Sequence, residues 1–151
     1  MTSLAKKIII GVAIAAVVGL VLIGILAGAA VSGWRAATRA GNEAATIQNL
    51  KTIAAVETQY FNTHNRTFGT FDQLVREQML SSRFAGNPVV ADDYVLILNV
   101  GAGRANPSYV VTADPQSDSS GRRHFYLDST AEIIRSNADR HASADDPPFD
   151  K

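Results

Sequence analysis

From Ile8 to Trp34 the chain carries no charge, and 21 of those 27 residues are apolar. As a helix rising about 1.5 Å per residue, this stretch reaches about 40 Å, more than the roughly 30 Å hydrocarbon core of a bilayer. The pattern then changes. Between Trp34 and Asn62 there is no proline and only Gly41 interrupts a run rich in Ala, Glu, Gln, Leu and Lys, so the helix is expected to continue. Ile47, Leu50, Ile53, Ala54, Val56, Tyr60 and Phe61 recur at steps of three and four. That is a stripe needing cover, while Arg39, Asn42, Glu43, Gln48, Asn49 and Lys51 are free to face water.

Beyond a turn-rich segment, Thr63 to Gly69, the order Thr70-Phe71-Asp72-Gln73 fits a capping box and predicts a short helix over Phe71 to Leu80. Gly86, Asn87 and Pro88 end helical behaviour, and the period becomes two. Tyr94 to Val100, Tyr109 to Ala113 and His124 to Asp128 alternate as strands, with a fourth expected at Glu132 to Arg135. The loops Gly101 to Pro107 and Asp114 to Gly121 suit antiparallel neighbours. From Ser136 onward Asp, Ser, Ala and Pro147-Pro148 dominate, a composition that predicts a mobile tail. The expected fold class is therefore α+β: a long amino-terminal helix, first membrane-spanning and then amphipathic, packed on an antiparallel sheet of three to four strands. Three regions follow: a transmembrane helix at 1–34, a folded domain at 35–135 and a flexible tail at 136–151.

Composition sharpens this division. The whole chain is 46% apolar, but once the first 34 residues are set aside the remainder is about 39% apolar, ordinary for a soluble domain. Fourteen basic residues balance fourteen acidic ones, and no basic stripe stands out, which argues against a nucleic-acid partner. Cysteine is absent, which excludes disulfides, a thiol nucleophile and a thiolate zinc site.

The apolar helix admits two readings. Lys6 and Lys7 with Ala27-Gly28-Ala29 resemble a secretory signal and its cleavage site, which would release a periplasmic or secreted binding module; yet Ile8 to Leu26 already exceeds a signal peptide's apolar core. A retained single-pass anchor is the preferred reading, with a short amino-terminal side in the cytoplasm and Trp34 at the bilayer edge. Gly24 and Gly28 form a small-xxx-small pair, read either as a face through which another helix, from a second copy or a different subunit, would approach or as the glycine content common to membrane helices.

Several local words, in this order, resemble the type IV pilins and type II secretion pseudopilins: Asn42-Glu43-Ala44-Ala45 with Leu50, Ile53 and Gln59-Tyr60-Phe61; Phe68-Gly69-Thr70-Phe71 with Leu74; Tyr109 to Pro115; Gly121 to Phe125; and Asp128-Ser129 with Ile133 and Arg135. The resemblance implies a helix on a small antiparallel sheet, pilin-like subunits or secretion and pilus assembly components as partners, and a place in the bacterial inner membrane with the carboxy-terminal domain facing the periplasm or the cell exterior. The amino terminus departs from that pattern. Such proteins are cut after a glycine and carry glutamate at the new fifth position, whereas a cut after Gly11 puts Ala16 there, and no acidic residue precedes Glu43. A minor subunit, or an anchored protein outside the filament, fits this departure better than a major subunit.

Candidate chemistry is sparse. His64, His124 and His141 share no ligand spacing and are read as exposed or structurally bonded. The serines lack a nucleophile elbow, and Gly101-Ala102-Gly103 lacks the setting of a dinucleotide loop, so no enzyme is expected. No cofactor is expected either. Asp114, Asp118 and Asp128 are weighed as calcium ligands, as the loops of some pseudopilins are implied to be, against solvated turn carboxylates with Asp114 capping the turn before Pro115.

Overall fold

A computed structural model describes residues 3–101, 106–130 and 132–149, with side chains described from Gly11 onward except Ala13 and Ile14. Helix α1 runs Ser3–Thr63. The chain divides into two compact units, Met1–Ala37 and Thr38–Lys151.

In the first unit the helix exposes large apolar side chains around its circumference, and none of the described residues covers them. Val17, Leu20, Leu22, Ile23, Ile25 and Leu26 are all more than half exposed. The helix is long and apolar enough to cross a membrane by length and composition. A Cβ added at Gly24 or Gly28 would meet nothing within 4 Å. Lys6 and Lys7 belong to the helix, and their side chains lie outside the described residues.

The second unit is built on the amphipathic half of α1. Ile47, Leu50, Ile53 and Tyr60 of the expected stripe are buried. Three polar residues, Thr46, Asn49 and Glu57, share that buried face, and the expectation that Asn49 faces water is corrected. Asn49 donates to Asp92 at 2.7 Å and accepts from the Arg83 guanidinium, because the side chain meets a tight turn of the sheet and the short 3-10 helix Ser82–Phe84 rather than solvent. Asn42 likewise donates to the Ser120 carbonyl, and the Glu43 carboxylate accepts the Arg122 amide N–H. These bonds tie the start of the buried half to two loops of the sheet.

Helix α2, Phe71–Arg76, carries the capping box as read: Thr70 Oγ1 accepts from Gln73 N–H, and Gln73 Oε1 accepts from Thr70 N–H. It stops four residues short of the expected Leu80. Gln78 takes a left-handed φ of 59°, and the amides of Met79 and Leu80 turn back onto the Leu74 carbonyl.

The sheet is an antiparallel meander of five strands in sequence order: β1 Val89–Ala91, β2 Tyr94–Val100, β3 Tyr109–Pro115, β4 His124–Asp128 and β5 Arg135–Asn137. Three to four strands were expected. The unforeseen β1 pairs with β2 across Asp92-Asp93, both at positive φ, a two-residue turn of the kind usually marked by glycine or asparagine. The last strand begins at Arg135 rather than Glu132, since Glu132 sits at φ 52° and its amide closes a turn onto the Asp128 carbonyl. Inward side chains, among them Tyr94, Leu96, Tyr109, Val111, Phe125 and Leu127, meet the α1 stripe together with Leu74 and Phe84.

Residues 136–149 correct the expectation of a mobile tail. They fold back: Ser136 N–H donates to the Pro147 carbonyl, Phe149 N–H to the Ile134 carbonyl, and the Phe149 ring stands edge-on to Phe125 at 5.7 Å. One buried carboxylate, Asp146, organises the turn between them. A composition rich in Asp, Ser and Pro reads as disorder only while the partners of its carboxylates are unseen.

Candidate functional site

The meander places Asp114 and His124 side by side. The β3–β4 register pairs Ala113 with Phe125, and those two side chains point into the core, so their neighbours Asp114 and His124 emerge together on the opposite face. His124 Nδ1 lies 2.6 Å from Asp114 Oδ1. A third residue reaches the same oxygen from the carboxy-terminal segment: His141 Nδ1 lies 2.8 Å from Asp114 Oδ1. The two imidazoles stand edge to face with centroids 5.1 Å apart. Asp114 and His124 are about four-fifths covered, whereas the His141 ring is 81% exposed.

An exposed ring holds this position because its backbone is braced. Asn137, the β5 neighbour of His124, accepts the amides of Asp139 and Arg140 on its Oδ1 and donates from Nδ2 to Asp146 Oδ1 at 2.8 Å. Asp146 takes a two-pronged ion pair from Arg140, at 2.8 and 3.0 Å, and also the amide and hydroxyl of Ser143. Arg140 further donates to the His141 carbonyl. Hydrogen bonding by Asn137, then by Ser143, with the charge of Arg140, outweighs burial and lowers the Asp146 pKa to about 2. The loop carrying His141 is thus closed around an ionised carboxylate.

His124 is positioned from the other side. The Tyr94 hydroxyl, buried under the β3–β4 loop, donates to the Arg123 carbonyl at 2.9 Å. A Cβ on Gly121 would stand 2.0 Å from that hydroxyl, so the loop passes here only as glycine. Beside the three residues lies an open depression of about 520 Å³, lined by His124 and by Arg39, Asp118, Arg122 and Asp139, two charges of each sign.

The carboxylates weighed for calcium separate. Asp114 carries the histidines, Asp118 lines the neighbouring depression, and Asp128 closes its own turn by accepting the Thr130 amide. Among the described residues Asp114 is grouped with His124 and His141 and not with Asp118 or Asp128, so the oxygen-rich set weighed for calcium is not assembled there. His64 stays apart, stacked on Tyr60 at 3.8 Å and paired with Glu77. Gly103 lies outside the described residues. No protein family, curated protein or solved structure matches the chain.

A second polar site is buried within the core. Glu57 is fully covered; its Oε2 accepts the Gly69 amide at 2.9 Å, and its Oε1 is buried without a hydrogen-bond partner, as is the Tyr109 hydroxyl. Burial raises the Glu57 pKa from its ordinary 4.5 to about 7, against the lowering effect of the Gly69 amide. Glu57 is not a member of the apolar stripe read from the sequence, yet it lies on the same buried face. No local sequence signal marks a carboxylate as buried, or brings together histidines 17 residues apart.

Proposed function

We propose that the protein is a membrane-anchored structural subunit of the pilin or pseudopilin type, with the anchor retained and the Thr38–Lys151 unit outside the cytoplasm as the surface met by partners. One observation carries this reading: a single helix, Ser3–Thr63, is apolar and uncovered in its first half and amphipathic in its second, where it forms one wall of a domain core. The first half suits lipid and the second suits a sheet. The order of elements, helix then loop then antiparallel meander, supports the same reading, and the missing glutamate before Glu43 favours a minor or non-filament role over that of a major subunit. The clustered histidines belong to the outer unit and are not needed for anchoring.

Membrane extraction followed by intact mass and amino-terminal sequencing tests the proposal. A chain that retains Ile8 to Trp34 and leaves the membrane only with detergent is expected. A chain beginning at Val12 would mean processing of the pilin kind, and one beginning at Ala30 a released module, which overturns the anchor. In spheroplasts, external trypsin should cut at the exposed Arg76 and Arg83; protection of both would reverse the orientation.

A further inference from the structure

The geometry points to a binding site for a divalent late transition metal of the zinc class, with Asp114 Oδ1, His124 Nδ1 and His141 Nδ1 as its ligands. The three residues come from β3, β4 and the carboxy-terminal loop, and one potential ligand atom from each lies within 4.8 Å of the others. This inference stands independently of the membrane reading.

The donor set selects the ion. Two imidazole nitrogens and one carboxylate oxygen suit zinc, cobalt, nickel or copper, whereas calcium seeks six to eight oxygens. Both nitrogens already point at one oxygen, at 2.6 and 2.8 Å. Ligands of one tetrahedral zinc, each about 2.0 to 2.1 Å from it, stand about 3.3 Å apart, so admitting the ion requires each nitrogen to withdraw by roughly 0.5 to 0.7 Å. Each neutral imidazole needs only to carry its proton on Nε2, which frees the Nδ1 lone pair without releasing a proton. The ion meets a single negative charge, on Asp114, and keeps at least one coordination position for water beside the depression lined by His124.

Rigidity and access are divided among the ligands in a way that fits reversible binding. Asp114 and His124 are fixed by the strand register and by the Tyr94–Arg123 bond. His141, 81% exposed, is the one ring able to swing aside and admit an ion. Its backbone is nonetheless closed around Asp146, which shortens the search for the bound position. A pair of histidines serving only the fold would have no need of a loop that carries an exposed ring back onto a carboxylate already bonded to His124.

The test uses the full chain without an affinity tag, in detergent micelles and stripped by a chelator, titrated with Zn²⁺ against a chromophoric competitor and with Co²⁺ by visible absorption. One ion per chain, with ligand-field bands of cobalt bound by nitrogen and oxygen, is the expected result. His141→Ala and His124→Ala should each weaken zinc binding roughly tenfold or more, while Asp118→Asn and His64→Ala leave it unchanged. Because His141 is exposed, its variant should melt within a degree or so of the parent without metal, which separates lost ligation from lost folding. Zinc binding unchanged in both histidine variants, an absence of stoichiometric binding, or a preference for Ca²⁺ over Zn²⁺ would each overturn the site.

Discussion

The two halves of helix α1 have the same backbone and opposite rules of placement. In the first unit large apolar side chains such as Leu20 and Leu26 are about 70% exposed and the glycines touch nothing. In the second unit most exposed positions of the helix are polar, Gln48, Lys51, Thr52, Thr58, Gln59 and Asn62 among them, and the hidden face includes Thr46, Asn49 and Glu57. The first half suits an apolar solvent, since exposure to water costs roughly 25 cal/mol for each Å² of apolar surface. The second carries its own apolar partner in the sheet and also buries polar groups, Asn49 with partners for its amide and the Thr46 hydroxyl and Glu57 Oε1 without, at a cost in free energy. A helix therefore declares its surroundings by what it leaves uncovered, and each half can be broken independently.

The largest expected effect comes from placing one carboxylate in each half. Ile53→Asp puts an unpaired charge at a fully buried position and should destabilise the second unit by about 3 to 5 kcal/mol, enough to unfold it. Leu22→Asp should leave that unit folded and lower the yield of inserted chain instead. Circular dichroism with membrane fractionation of the two full-length variants reads the difference. If Leu22→Asp also unfolded the second unit, the two halves would not be independent.

Gly121→Ala comes next. The added methyl would stand 2.0 Å from the Tyr94 hydroxyl, so either the loop or the tyrosine must move. A loss of about 2 to 3 kcal/mol is expected by denaturant melting. The double variant with Tyr94→Phe should recover part of it, because the clashing oxygen is gone.

How much of this was legible in sequence differs between the halves as well. The apolar run needed no partner to be recognised, and the stripe Ile47, Leu50, Ile53, Tyr60 follows from helical spacing alone, as do three of the strands from their alternation. What escaped reading depended on distant partners. Asp92-Asp93 makes a tight turn without glycine because aspartate tolerates positive φ. Asp146 looked like tail until Asn137, Arg140 and Ser143 were seen to surround it. Of the residues weighed as ligands, Asp114 belongs to a cluster, yet its companions are histidines brought in by strand register and a loop. Period and composition encode which face is buried; they do not encode which polar groups meet across the fold.

A smaller effect, with its own pH signature, separates the two buried carboxylates of the second unit. Glu57 is raised to about 7 from 4.5, so the folded state holds its proton more tightly than the unfolded one. The associated stability is complete below about pH 4.5, falls as pH rises through about 7, and is flat above. Asp146 is lowered to about 2 from 3.8; its contribution is present above about pH 3.8 and is lost as pH falls through 2. Glu57→Gln should abolish the loss between pH 4.5 and 7 and raise stability at pH 8 by on the order of 1 to 2 kcal/mol. Urea melts at pH 5 and pH 8 check it: a variant that keeps the parent's pH slope would place the titration elsewhere.

The smallest effect on the chain itself is expected back in the apolar half, at Gly24 and Gly28, where the question is association rather than folding. The two glycines lie one turn apart and have open space around them, so on the proposed reading a neighbouring helix would approach the backbone there and be held by packing. Gly24→Ile with Gly28→Ile fills that notch. Insertion should persist, since isoleucine is the more apolar residue, and melting of the second unit should not change. Cross-linking between such helices, whether of two copies or with another protein, should fall, while Gly11→Ile, nearer the end of the apolar run, should matter less. Unchanged cross-linking in the double variant would reduce the first half of α1 to a plain anchor, and the contrast with the second half would then be one of solvent alone.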